Sequence, residues 1–212
     1  MQSINYFILN QSSSPSRMVL FLHGLGASGN DLVFIYQALL RELNDIIGVF
    51  PTAPNIPVSL NRGYMMPAWF DIESITHFSD RMNEGLSLMM NPLVEIVREV
   101  QAQYPSITEV NIVGFSQGGV VALALSHYLP VNHLALLSTF YPQQRQICPD
   151  SKKIFIAHGE RDDIVPFQLG SQLYNRLKNI NNLHINFYQY KNMGHHIINE
   201  EIADLIKFIK IH

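Results

Sequence analysis

Val110-Asn-Ile-Val-Gly114-Phe-Ser116-Gln-Gly118-Gly119 joins a continuous apolar run to a stretch of helical period carrying Val120, Leu123 and Ala124. An apolar run that does not alternate reads as a strand covered by helices on both faces. Within Gly-x-Ser-x-Gly the chain turns so tightly that the flanking positions have no room for side chains, and the central residue takes a strained backbone. Ser116 is thereby pushed outward at the amino end of a helix, where unpaired N–H groups favour developing negative charge. A glycine-rich turn holding an ordinary serine shares the pattern, so the motif draws its weight from its setting.

Working outward, the same theme repeats. Strands are expected at 18–22, 46–50, 110–115, 134–138, 154–157 and 185–190, most of them continuous in hydrophobicity. Between the first two, Asn30 or Asp31 can cap a helix whose Leu32, Ile35, Tyr36, Leu39, Leu40 and Leu43 recur at three and four. Further helices are expected at 86–103, 118–128, 167–178 and 199–211, with Asn91-Pro92 as a kink or split in the first of these. Strand and helix in alternation imply an α/β fold with a mostly parallel central sheet and helices on both faces. No linker, charge block or repeat divides residues 1–212, which read as a single domain. In such sheets ligands bind at the carboxyl ends of the strands.

Composition narrows the function classes. Of 212 residues, 14 are Lys or Arg and 17 Asp or Glu, a formal charge of −3 with no basic stripe, which argues against a nucleic-acid partner. The one cysteine, Cys148, has no partner for an internal disulfide, zinc knuckle or CxxC pair, and suits a reducing compartment. The first ten residues have no basic n-region, and no stretch approaches the roughly 18 apolar residues of a membrane span, so a cytoplasmic protein is expected.

A serine needs a histidine base and a carboxylate to orient it. Downstream, the strand at 154–157 runs into His158-Gly-Glu-Arg-Asp162-Asp163-Ile-Val-Pro166, and the strand ending at Tyr190 runs into Lys191-Asn-Met-Gly194-His195-His196. Ser, Asp, His is the chain order of α/β-hydrolases. The residues alone leave open which member of Asp162/Asp163 and of His195/His196 serves, and either aspartate or His196 also fits a helix cap. His77, His127, His133, His184 and His212 read as surface or packing residues. Donors for an oxyanion are expected at the N–H of Gln117 and, from the loop His23-Gly-Leu-Gly26, at the N–H of Leu25. The same loop matches a dinucleotide fingerprint, Gly24-Leu-Gly26-Ala-Ser-Gly29, but the acid expected about 20 residues on is missing from Phe50-Pro-Thr-Ala-Pro54. No H-E-x-x-H or other ligand spacing suggests a metal, and no cofactor is expected.

His23-Gly-Leu-Gly26, Phe50-Pro-Thr-Ala-Pro54, Met66-Pro-Ala-Trp69-Phe-Asp71-Ile72, Gly114-Phe-Ser-Gln-Gly-Gly119, His158-Gly-x-x-Asp162-x-x-Val165-Pro166 and Met193-Gly-His195 run nearly end to end. In these the chain resembles the carboxylesterase/acyl-protein thioesterase family, small lysophospholipase-like α/β-hydrolases without a large cap domain. The resemblance implies Ser116 as nucleophile, Asp162 as orienting acid and His195 as base. It also implies Leu25 and Gln117 as oxyanion donors, and Trp69 near the acyl pocket. Two departures stand out: Ala27-Ser28 where relatives often carry an acid, and Pro67 where a basic or small residue often precedes Ala-Trp. The loop 55–80 has the length and irregularity of a lid, with Tyr64, Met65, Met66, Trp69 and Phe70 as apolar surface for an acyl chain or as ordinary core packing. The expected activity is hydrolysis of acyl esters or thioesters, on a small molecule, lipid or acylated protein, with transient membrane contact through exposed apolar residues. The alternative is a catalytically silent scaffold binding an acyl ligand or protein partner.

Overall fold

In the computed structural model, which describes residues 4–141, 149 and 151–210, the run around Ile112 is one strand of a seven-stranded sheet. Cys148 and His212 lie outside the described residues. Along the chain the elements are β1 (Asn5–Asn10), β2 (Arg17–Leu22), α1 (Val33–Leu40), β3 (Ile46–Thr52), β4 (Asn55–Val58), β5 (Tyr64–Pro67), α2 (Asp80–Leu88), α3 (Met90–Gln103), β6 (Glu109–Phe115), α4 (Gln117–Leu125), β7 (Val131–Leu137), β8 (Ser151–Gly159), α5 (Phe167–Leu177), β9 (His184–Tyr190) and α6 (Asn199–Lys210). The strand order is β1-β3-β2-β6-β7-β8-β9, antiparallel only between β1 and β3. This is the mostly parallel α/β sheet expected from the alternating pattern, in the fold that the resemblance to α/β-hydrolases implies.

Strand alternation divides the core between two faces. Val19, Phe21, Val113, Ala135 and Phe155 pack with residues of α1 and α6, whereas Met18, Leu20, Ile112, Leu134 and Ile154 pack with α3 and α4. All nine residues of α4 are buried, as a helix apolar all round must be. The chain leaves β2 toward β3 on one side, while β6 pairs with β2 on the other. The crevice where the order reverses therefore opens between the loops after β2 and β6.

Three features differ from the sequence reading. β1 is an extra edge strand, in a run considered only as a targeting segment. It is held where Phe7 pairs across from Phe50 and stacks on it at 4.9 Å, with Phe21 on the other side of Phe50 at 4.7 Å. The lid stretch contains a hairpin, β4 paired with β5, turning through Arg62 and Gly63 at φ of +57° and +78°. The expected split of the helix at 86–103 falls at Met89, with the first part starting earlier at Asp80, which leaves Pro92 in the first turn of α3, where its missing N–H costs nothing.

Glu201, in the first turn of α6, is 0% exposed, and neither carboxyl oxygen has a hydrogen-bond partner among the described residues. Burial pushes its pKa up to about 8 from an ordinary 4.5, against the opposing effect of the nearby Ile198 N–H. The folded chain thus holds a proton that the unfolded chain releases. The stability this contributes is complete below about pH 4.5 and is lost as pH rises through about 8. Glu201→Gln is expected to flatten the decline of Tm over that range. Parallel Tm curves for the variant and the native protein would show that the carboxyl does not titrate there.

Candidate active site

The turn after β6 is built by exclusion. A Cβ on Gly118 would lie 2.0 Å from the Leu22 carbonyl oxygen, and one on Gly114 would lie 2.4 Å from the Gly118 carbonyl oxygen. Between them Ser116 adopts φ +53° and ψ −119°, a backbone that a non-glycine residue holds only under constraint. Its N–H donates to Leu137 O at 2.9 Å, and Thr139 Oγ1 donates to its carbonyl at 2.7 Å. The elbow is therefore fastened to the end of β7.

The acidic and histidine loops follow the adjacent strands β8 and β9, and they cross at Gly159, where a Cβ would sit 2.1 Å from Met193 O. Arg161 N–H donates to that same carbonyl at 3.1 Å. This crossing brings His195 Nδ1 to 2.8 Å from Asp162 Oδ2, and His195 Nε2 to 2.9 Å from Ser116 Oγ. A carboxylate only accepts, so Nδ1 carries the hydrogen and Nε2 is free to accept from the hydroxyl. Asp163 and His196 are both exposed, and the pairs that the residues alone left open are separated by geometry.

Asp162 is buried, which by itself would raise its pKa, yet hydrogen bonds from His158, His195 and Val165 hold the carboxyl well below the usual carboxylate range. Oδ1 accepts from the N–H groups of Ile164 and Val165 at 3.0 and 2.8 Å, while Oδ2 faces His195 and, at 3.4 Å, His158. The carboxylate stays ionised and oriented beside the imidazole.

The loop after β2 lies against the nucleophile, since a Cβ on Gly24 would come within 3.3 Å of Ser116 Cβ. Neither the Leu25 nor the Gln117 N–H donates to any group among the described residues, and both residues line the same cavity. Two unsatisfied N–H groups beside a serine can receive a carbonyl oxygen that turns negative. The loop is braced from behind. Ala53 N–H donates to His23 Nε2 at 3.0 Å, so His23 Nδ1 carries the hydrogen that reaches Gly24 O at 2.7 Å. Burial lowers the pKa of His23, in keeping with a ring that must accept at Nε2. Trp69 Nε1 donates to His23 O at 2.8 Å, and Gly26 N–H donates to Pro67 O at 2.8 Å.

Trp69 thus stands behind the cavity wall, 1% exposed, bracing the loop that carries Leu25. Trp69 lies near the pocket, its ring centroid 4.9 Å from that of the lining residue His23, while Met66 and Phe70 are not lining residues and Tyr64 and Met65 project from the hairpin at 71% and 57% exposure. The wall of the roughly 580 Å³ cavity is formed instead by Leu25, Phe34, Leu60, Ile72, Ile75, Phe140, Ile164 and Val165 around Ser116 and His195. Phe34 was legible in principle, as an apolar residue off the buried stripe of its helix. Asp71 anchors the rim, accepting from Ser59 N–H and Oγ at 2.7 Å and pairing with Arg81 at 3.1 Å. The Gly24-to-Gly29 pattern leads into a short 3-10 turn, with Gly29 packed on the Phe50 backbone. Among the described residues no cluster of three His, Cys, Asp or Glu side chains is arranged to hold a metal.

The side chain of Gln117 was not anticipated. Its Oε1 accepts from Trp69 N–H at 3.0 Å and its Nε2 donates to Phe70 O at 2.9 Å, clipping the segment 67–70 to the elbow.

Comparison with known proteins agrees with this architecture. The sequence profile of the phospholipase/carboxylesterase family matches residues 4–212. Acyl-protein thioesterase 1 of Candida albicans is 33% identical over 214 residues, covering 93% of each chain. The protein of that name from Saccharomyces cerevisiae is 34% identical over 213 residues, covering 92% of this chain and 93% of its own. The crystal structure of Zea mays acyl-protein thioesterase 2 superposes with a TM-score of 0.83 at 23% identity, covering 97% of both chains.

Gln117→Ala keeps the backbone N–H but strands two buried groups of the 67–70 segment. Urea denaturation is expected to show a loss of about 2–4 kcal/mol. A loss under about 0.5 kcal/mol would mean that water replaces the clip.

Proposed function

From the premise that the chain belongs to the phospholipase/carboxylesterase family, and is an ester or thioester hydrolase, we propose that it works through Ser116, His195 and Asp162 and a covalent acyl-enzyme. The observation that carries this reading is the His195 ring, bonded at 2.9 Å to Ser116 Oγ and at 2.8 Å to Asp162 Oδ2. Ser116 Oγ attacks the acyl carbon as His195 Nε2 takes the hydroxyl proton. The carbonyl oxygen becomes negative between the N–H groups of Leu25 and Gln117. As the tetrahedral centre collapses, the bond to the alkoxide or thiolate breaks and His195 returns the proton to that leaving group. Water then attacks the acyl carbon, gives a proton to His195, and releases the carboxylic acid as Ser116 recovers its own. Asp162 stays ionised throughout, opposite the imidazolium. Each proton and charge has a protein group to receive it, so the scheme calls for no cofactor.

The substrate class follows from the cavity, whose apolar walls suit an acyl chain, and from the names of the relatives: acylated proteins and lipids are the substrates of this reading. The cavity mouth is rimmed by Phe34, Leu60 and Ile164, 43%, 48% and 58% exposed, with Tyr64 and Met65 beyond them. No helix among the described residues is long and apolar enough to cross a membrane. A rim of this kind supports transient contact with a membrane surface from the cytoplasm, with residues 1–212 working as one domain.

Hydrolysis of p-nitrophenyl esters from acetyl to dodecanoyl tests the chemistry. Ser116→Ala is expected to lose about 10⁴-fold or more in kcat while remaining folded by circular dichroism. Acyl-ligand binding without turnover in the native protein, unchanged in Ser116→Ala, would instead establish the silent scaffold. Tyr64→Ser with Met65→Ser is expected to leave p-nitrophenyl butyrate hydrolysis unchanged and to slow hydrolysis of an acyl substrate held in vesicles. Equal slowing on both substrates would remove the membrane role.

A further inference from the structure

Asp162 Oδ2 faces two imidazoles, and the reaction above uses only one. The second, His158, is 0% exposed within β8. Its Nε2 lies 2.8 Å from Val165 O and 3.4 Å from Asp162 Oδ2. Both are acceptors, so Nε2 carries the ring hydrogen and shares it between them. Nδ1 has no partner among the described residues, which agrees with that tautomer. Behind the ring, a Cβ on Gly170 of α5 would sit 2.3 Å from Nδ1, and Phe167 meets the ring edge-on at 5.9 Å. The ring is thus pressed between α5 and the acidic loop, with no space to turn away.

Val165 links the two ends of the arrangement. Its N–H donates to Asp162 Oδ1 at 2.8 Å, while its carbonyl receives the hydrogen of His158. One N–H therefore steadies the turn that supplies the donors of Oδ1 and also touches Oδ2. We propose that His158 is a positioning residue for Asp162, clamping the carboxylate through Val165 and Oδ2 so that Oδ2 meets His195 Nδ1 in line. The proposal rests on the reading of Ser116, His195 and Asp162 given above.

His158→Leu removes the N–H at similar volume, and His158→Gln offers an amide N–H at the reach of Nε2. On p-nitrophenyl butyrate, His158→Leu is expected to lower kcat about 10- to 100-fold with KM within about twofold of native, and His158→Gln to recover about tenfold of that loss. In an Asp162→Asn background the Leu substitution is expected to change the rate by less than about threefold, because a clamp has nothing left to hold. Equal losses in both backgrounds, with no recovery in His158→Gln, would show a ring that only fills space and overturn the proposal. A Leu variant as active as the native enzyme would do the same. If thermal unfolding shows His158→Leu to be unfolded at assay temperature, Gly170→Ala presses the ring from behind and is read in both backgrounds by the same criterion. Native enzyme that takes no fluorophosphonate label at Ser116 is a different failure, which removes the triad reading itself.

Discussion

The contact between Gly118 and the Leu22 carbonyl, with no room for a methyl group, governs where the rest of the site can stand. It draws the amino end of α4 onto the end of β2, so the serine after β6 and the loop after β2 become neighbours. Ser116 and Leu25 are thereby brought to the wall of one cavity, where the proposed reaction uses the hydroxyl of one and the N–H of the other. Donors fixed in advance stabilise developing charge without reorganising at the moment of reaction, which is where most of their value lies. The wholly buried α4 supplies the stiffness this demands, and the side chain of its first residue extends that order outward to Trp69 and Phe70.

Two buried acids show how donors decide the outcome of burial. Asp162 and Glu201 are both withdrawn from water, and withdrawal alone drives either carboxyl toward its neutral form. Asp162 faces two backbone N–H groups and two imidazoles, and these reverse the effect. Glu201 faces no aligned donor, and burial prevails. Both lie on the stretch of chain that frames His195. The charge of one depends on the turn 162–165 keeping its shape.

Much of the architecture was legible because parallel strands buried on both faces write continuous apolar runs, and helices between them write a period near four. The elbow was legible for a related reason, since its packing leaves Gly114 and Gly118 no substitutes. Residues 5–10 were not, because an antiparallel edge strand half open to solvent resembles any short apolar run; its partner, Phe50, lies more than forty positions away. The choice between Asp162 and Asp163, or His195 and His196, depends on which side chain a turn aims inward, and neighbours of one type carry no sign of that. The apolar wall was less legible for the opposite reason. Trp69 and Phe70 are conspicuous in the chain yet pack inward, while the true wall is assembled from single residues of several loops.

The hairpin at the mouth stands apart from the reacting groups. A Cβ on Gly63 would meet nothing within 4 Å, and the turn is closed by the Gly63 N–H on Val58 O at 2.8 Å, with no hydrogen bond to Ser116, His195 or Asp162 among the described residues. Insertion or loss of residues there is expected to leave the reacting atoms where they are. Such a tip gives the experimenter a position away from the reacting atoms at which a chromophore can watch the entrance.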